Sequence, residues 1–127
     1  MAITTEEKEF ASYVVELMQA VGPVRSKRMF GGFGMFLEDL MIGLIAGSEL
    51  YLKVDAESRK DFDDLGLSPF VYNKKGKPME MSYFQPPEEA LEDSEVMATW
   101  ANKAYGAALR AAAKKSKGKG RKKSGKK

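Results

Sequence analysis

Apolar residues recur at Phe10, Tyr13, Val14, Leu17, Met18 and Val21. This is the i, i+3, i+4, i+7 spacing of a helix with one buried face. The pattern predicts a helix over roughly Thr5 to Ala20, with Thr4 and Glu7 at capping-box spacing. Gly22-Pro23 ends it. The period then shortens to two. Phe33, Met35 and Leu37 alternate with Gly34, Phe36 and Glu38, and Glu38-Asp39 reads as a turn. Leu40 to Ala46 is almost continuously apolar, as in a strand covered on both faces. Gly47-Ser48 suits a tight hairpin. Leu50, Leu52 and Val54 then alternate with Tyr51 and Lys53, completing a three-stranded antiparallel meander over Phe33 to Val54.

The second half repeats the change of period. Asp55 can cap a helix reaching about Leu65, and Gly66 stops it. Its apolar face (Ala56, Phe62, Leu65) is thin, which places it at the surface. Phe70-Val71-Tyr72 begins a fourth strand, Asn73 to Lys77 is a loop, and Met79, Met81 and Tyr83 mark a fifth strand. Pro86-Pro87 breaks the sheet, and Pro87 to Leu91 fits one helical turn. Asp93 or Ser94 caps a last helix to about Ala113, striped by Val96, Met97, Trp100, Ala101, Ala104, Ala108 and Ala111. The order α-β-β-β-α-β-β-α indicates an α+β domain of two layers with an antiparallel sheet.

Composition removes most chemistry. The 127 residues include no histidine and no cysteine. Ser-His-Asp and Cys-His catalysis, thiolate nucleophiles, disulfides and Cys/His zinc sites are therefore excluded. Any metal site would have to be built from carboxylates alone. The reading assigns no catalytic residue, no metal and no cofactor.

The net charge of +3 hides two opposite parts. Lys114, Lys115, Lys117, Lys119, Arg121, Lys122, Lys123, Lys126 and Lys127 give residues 114–127 a charge of +9 without one acid. Residues 1–113 carry −6. The tail holds only Lys, Arg, Gly and Ser, so it cannot bury enough apolar surface to offset the entropy of ordering. It is expected to be a disordered arm that contacts nucleic acid non-specifically through phosphates. It has no aromatic residue for base stacking. The other reading is a solubilising tail, or one that folds back on the acidic body. No membrane-length apolar run and no secretory signal is visible, which suggests a cytoplasmic protein, nucleoid-associated if the tail meets DNA.

Arg28-Met29-Phe30-Gly31-Gly32-Phe33-Gly34 is the most distinctive stretch. It matches neither a phosphate-binding Gly-Lys-Ser/Thr loop nor a dinucleotide fingerprint. It reads as a kinked entry into the first strand, or as an anion or small-molecule site served by Arg25, Lys27 and Arg28. The carboxylates Asp61, Asp63 and Asp64, and Glu88, Glu89, Glu92, Asp93 and Glu95, read as solvated faces. The strand methionines and aromatics read as core on one face, leaving the other face free for a dimer or partner surface.

Several blocks in order resemble the N-terminal domain of the TfoX (Sxy) family. They are the glycine stretch, Leu50-Tyr51-Leu52-Lys53-Val54, Pro69-Phe70-Val71-Tyr72, Gly76-Lys77-Pro78 with Met81-Ser82-Tyr83, and Trp100-Ala101. The resemblance spans about Phe10 to Ala112. It implies an α+β domain similar to the secretion-chaperone-like fold, often dimeric, in regulators of competence genes that act with a transcription regulator at promoters. It brings no catalytic residues. The family's full-length regulators have a second, helical domain where this chain has its basic tail. The expected function is a non-enzymatic regulatory or interaction module, the alternative being a dimeric protein-binding or chaperone-like module with a merely solubilising tail. Expected partners are a second copy, a transcription regulator and non-specific nucleic acid through the tail.

Overall fold

The computed structural model describes residues 5–29 and 31–124; the side chains of 72–74, 79–80 and 115–124 are outside the description. Helix α1 (Thr5–Met18) leads into strands β1 (Arg25–Met29), β2 (Gly32–Leu37), β3 (Leu40–Ala46) and β4 (Glu49–Lys53). Helix α2 (Arg59–Asp64), β5 (Pro69–Lys74) and β6 (Lys77–Phe84) follow. A 3-10 turn (Glu88–Leu91) then precedes α3 (Ser94–Ser124). The six strands form one antiparallel sheet in the order β1-β2-β3-β4-β6-β5.

The helices pack on one face of the sheet, so the molecule is a two-layer α+β domain. Val14 and Met18 of α1, Met97, Ala101 and Ala104 of α3, and Met35, Ile45 and Leu52 of the strands are buried in one core. Phe62 of α2 is fully buried, its ring 4.9 Å from Trp100 and 5.8 Å from Phe84. One large ring therefore anchors a helix whose C-cap residue, Leu65, is 56% exposed.

Three of the hairpin turns have only two residues. Glu38-Asp39 (φ +51°, +68°), Gly47-Ser48 (φ +57°, +66°) and Lys75-Gly76 (φ +54°, +80°) each link two antiparallel strands with two left-handed residues. This is the backbone of a type I′ hairpin, whose twist matches that of the strands. The expected loop of Asn73 to Lys77 is thus only the tip of a longer hairpin.

The sheet has one strand more than the periodicity predicts. Strand β1 (RSKRM) is exposed at its first four residues, so it carries no alternation of apolar and polar positions. The glycine stretch is accordingly the link of a β1–β2 hairpin and not an entry kink. Helix α3 runs to Ser124 and not to Ala113. Ala, Lys and Arg favour helix and no proline interrupts them, although Gly118 and Gly120 do not help. The side chains of the tail beyond Lys114 lie outside the described residues, as does Thr4 of the expected capping box.

Candidate interaction surfaces

The glycines of the β1–β2 hairpin are there for backbone reasons. Gly31 has φ +73°, a conformation that other residues adopt only at a cost. A Cβ on Gly32 would collide with the carbonyl oxygen of Ile45 on β3. A Cβ on Gly34 would stand 2.5 Å from the Met29 sulfur and 2.9 Å from the Phe36 ring. Phe30 lies outside the described residues. The stretch lets β1, β2 and β3 approach and lets Met29 and Phe36 lie over Gly34.

The anion-site alternative finds little support there. Arg25 is 2.8 Å from Asp39 in an exposed ion pair, and its guanidinium sits 5.9 Å from the centre of the Phe36 ring. Arg28 is exposed on β1. Surface concavities lie along α1, between Phe10 and the β3–β4 turn, and beside Asp55 and Arg110; none of these is lined by residues 25–34.

The sheet face turned away from the helices collects much of the family motif. Pairing of Arg25 with Phe36, Lys27 with Gly34, Leu44 with Tyr51 and Lys53 with Tyr83 puts these residues on that face. The Lys53 ammonium lies 5.2 Å from the centre of the Tyr83 ring, and Tyr51 packs on Phe70 at 5.0 Å. Burial pushes the Tyr83 phenol pKa up. Burial also raises that of Tyr51, with a further contribution from Glu49. Trp100, by contrast, belongs to the core side, under the Lys103 ammonium and against Phe62.

The helical layer holds a second polar cluster. Asp55 accepts the Ser58 backbone N–H at 3.0 Å while Ser58 Oγ accepts that of Asp55 at 3.1 Å, a reciprocal cap of the turn entering α2. Arg110 of α3 binds both Asp55 oxygens at 2.6 and 3.1 Å and lies 3.3 Å from Glu57. The Arg110 guanidinium, more than any other contact, holds the Asp55 carboxyl well below the usual carboxylate range. Lys103 reaches Asp61 at 3.2 Å, and Arg59 reaches Asp63 at 3.3 Å. The Lys103 contact ties α2 to α3 and the Arg110 contacts tie the turn entering α2 to α3, whereas Arg59–Asp63 lies within α2. Among the described residues, no group of three or more acids is arranged to hold a metal ion.

Sequence reasoning missed the placement of Arg25 and Lys27 on the helix-free face. Cations at alternate positions before a glycine turn were the available signal, since charged residues commonly protect edge strands. Of the nine tail cations, only Lys114 falls among the residues with described side chains, where it is exposed. Among the described residues, no helix is long and apolar enough to cross a membrane.

The TfoX N-terminal domain family matches residues 16–108, from the last turn of α1 into α3. A curated relative, the DNA transformation protein TfoX1 of Aliivibrio fischeri (strain ATCC 700601 / ES114), is 33% identical over 82 residues. That match covers 65% of this chain and 37% of the relative, so the similarity reaches little more than a third of the relative's length.

Proposed function

Because the chain belongs to the TfoX N-terminal domain family, we propose that it is a non-enzymatic regulatory module acting through contacts with other macromolecules. The observation that carries this reading is the extent of the match. Residues 16–108 include the whole sheet, α2 and most of the packed part of α3, so the shared feature is the folded body apart from the greater part of α1. The name of the relative links that protein to DNA transformation, and we extend the link to this chain as a role in controlling competence genes. The absence of histidine and cysteine agrees with a protein that performs no thiolate or imidazole chemistry.

In this reading the body engages a transcription regulator, with a second copy as a further partner, and the basic tail holds the module near DNA by charge. Two experiments test it. Deleting the gene in its own cell should lower expression of DNA-uptake genes and the recovery of transformants; unchanged values of both would overturn the competence role. For the tail, full-length protein and a full-length variant with all nine tail cations replaced by glutamine are titrated onto random duplex DNA across a salt series. If the tail engages about six phosphates, the native chain should give a log–log salt slope near −5, and the variant a much shallower one. Equal affinity of the two forms at low salt would remove the tail from the mechanism.

A further inference from the structure

The charges of the folded body are sorted by layer. Strands β1–β6 and their turns hold seven cations to four carboxylates, a balance of +3. The helical layer, taken as α1, the segment from Asp55 through α2, and the segment from Glu88 through α3 to Ala113, holds five cations to fourteen carboxylates, a balance of −9. The −6 of the body is therefore the sum of a basic sheet and a strongly acidic back.

Two of the sheet cations lie over aromatic rings, Arg25 over Phe36 and Lys53 over Tyr83. Arg25, Lys27 and Lys53 project from the face that no helix covers, Arg25 held by Asp39, together with Glu49 and with Phe36 and Tyr51, both rings half-buried. Lys27 has no carboxylate partner among the described residues. Phe36 on β2 and Tyr51 on β4 are separated by one strand and two residues, about 12 Å across the sheet. That separation is wide enough for each ring to take a different base.

We propose that the helix-free face of the sheet is a binding platform for a single-stranded polynucleotide, with Phe36 and Tyr51 stacking on bases and Lys27 and Lys53 meeting phosphates. Base stacking on aromatic rings tolerates any sequence, and cations along the same track supply the backbone contact. The rings require unstacked bases, which a duplex does not present. A second copy stacked face to face would bring like cations together across the interface, which disfavours it. The acidic back repels phosphates and leaves one face available. The inference does not depend on the tail, because it concerns the sheet alone.

The test uses the full-length chain and a short mixed-sequence oligonucleotide in four forms: single-stranded DNA, the same sequence as RNA, and a duplex of each. Amide shifts from isotope-labelled protein should move in β1, β2, β4 and β6 on adding either single strand. Shifts confined to residues 114–127 would overturn the proposal while leaving the tail's role intact. Sheet shifts that depend on protein concentration without oligonucleotide would overturn it in favour of self-association. Tyr51→Ala should weaken single-strand binding about tenfold. Replacing both Lys27 and Lys53 by glutamine, at sites outside the core, should flatten the single-strand salt slope by about 1.4. Unchanged affinity and slope in these variants would overturn it. DNA and RNA should bind alike, since stacking and charge do not read the 2′-hydroxyl; a gap above about tenfold would overturn this mode of recognition.

Discussion

Gly31 and Gly32 are adjacent and answer to different constraints. Gly31 needs a left-handed backbone but has open space where a side chain would go. Gly32 sits against the carbonyl of Ile45 and has no space at all. Gly31→Ala should therefore cost about 1 kcal/mol, and Gly32→Ala about 3 kcal/mol, at the upper end of overpacking penalties. Urea denaturation of the two variants checks the order, and a larger loss at Gly31 would contradict this account. Phe62 is the reverse case, a large ring on a helix that the sequence places at the surface. Its complete burial against Trp100 and Phe84 predicts that Phe62→Ala loses about 3–5 kcal/mol. The sequence showed the glycines as unusual, but Ile45, the residue that makes Gly32 necessary, is thirteen positions away.

At the scale of elements, α2 depends on its clamp. Six residues are too few for a helix to hold by itself, and Asp55 caps the turn that leads into it and links that turn to Arg110 on α3. Asp55→Ala should lose about 1–2 kcal/mol at pH 7 from the cap and the charge-assisted pair together. The acid dependence has a definite sign. The Asp55 pKa is lowered on folding, so its contribution is complete above the usual carboxylate value near 4 and is lost as pH falls through its folded value. Stability curves of the native chain and of Asp55→Ala should therefore run parallel above about pH 5 and converge below pH 4. A difference that persists undiminished at low pH would argue against the ion pair. Helix α1, β2, β3, β4 and the turns Glu38-Asp39 and Gly47-Ser48 were legible because each has its own hydrophobic period or its own turn residues. Strand β1 was not, because an edge strand exposed at four of five positions is paired by its backbone, and backbone pairing leaves no mark on the side-chain pattern.

The whole molecule has one core shared by both layers, with Trp100 packed against Phe62 within it. Unfolding in urea should accordingly be a single transition, with Trp100 fluorescence and near-UV circular dichroism superimposing. Separated midpoints would show that α2 and α3 leave the sheet independently. By itself the sequence determined the α+β class, the two layers, the exclusion of histidine and cysteine chemistry, and the division into an acidic body and a basic tail. These depend on composition and on local periodicity, which a chain carries before it folds. Tertiary structure alone decided the sixth strand, the antiparallel order that pairs β4 with β6, and the sorting of charge between the sheet and the helices. Those depend on which distant residues share a face, and alternation gives two faces without saying which one the helices cover. The physical reason is that pairing and packing join positions tens of residues apart, so the basic, aromatic face exists only once the strands are side by side.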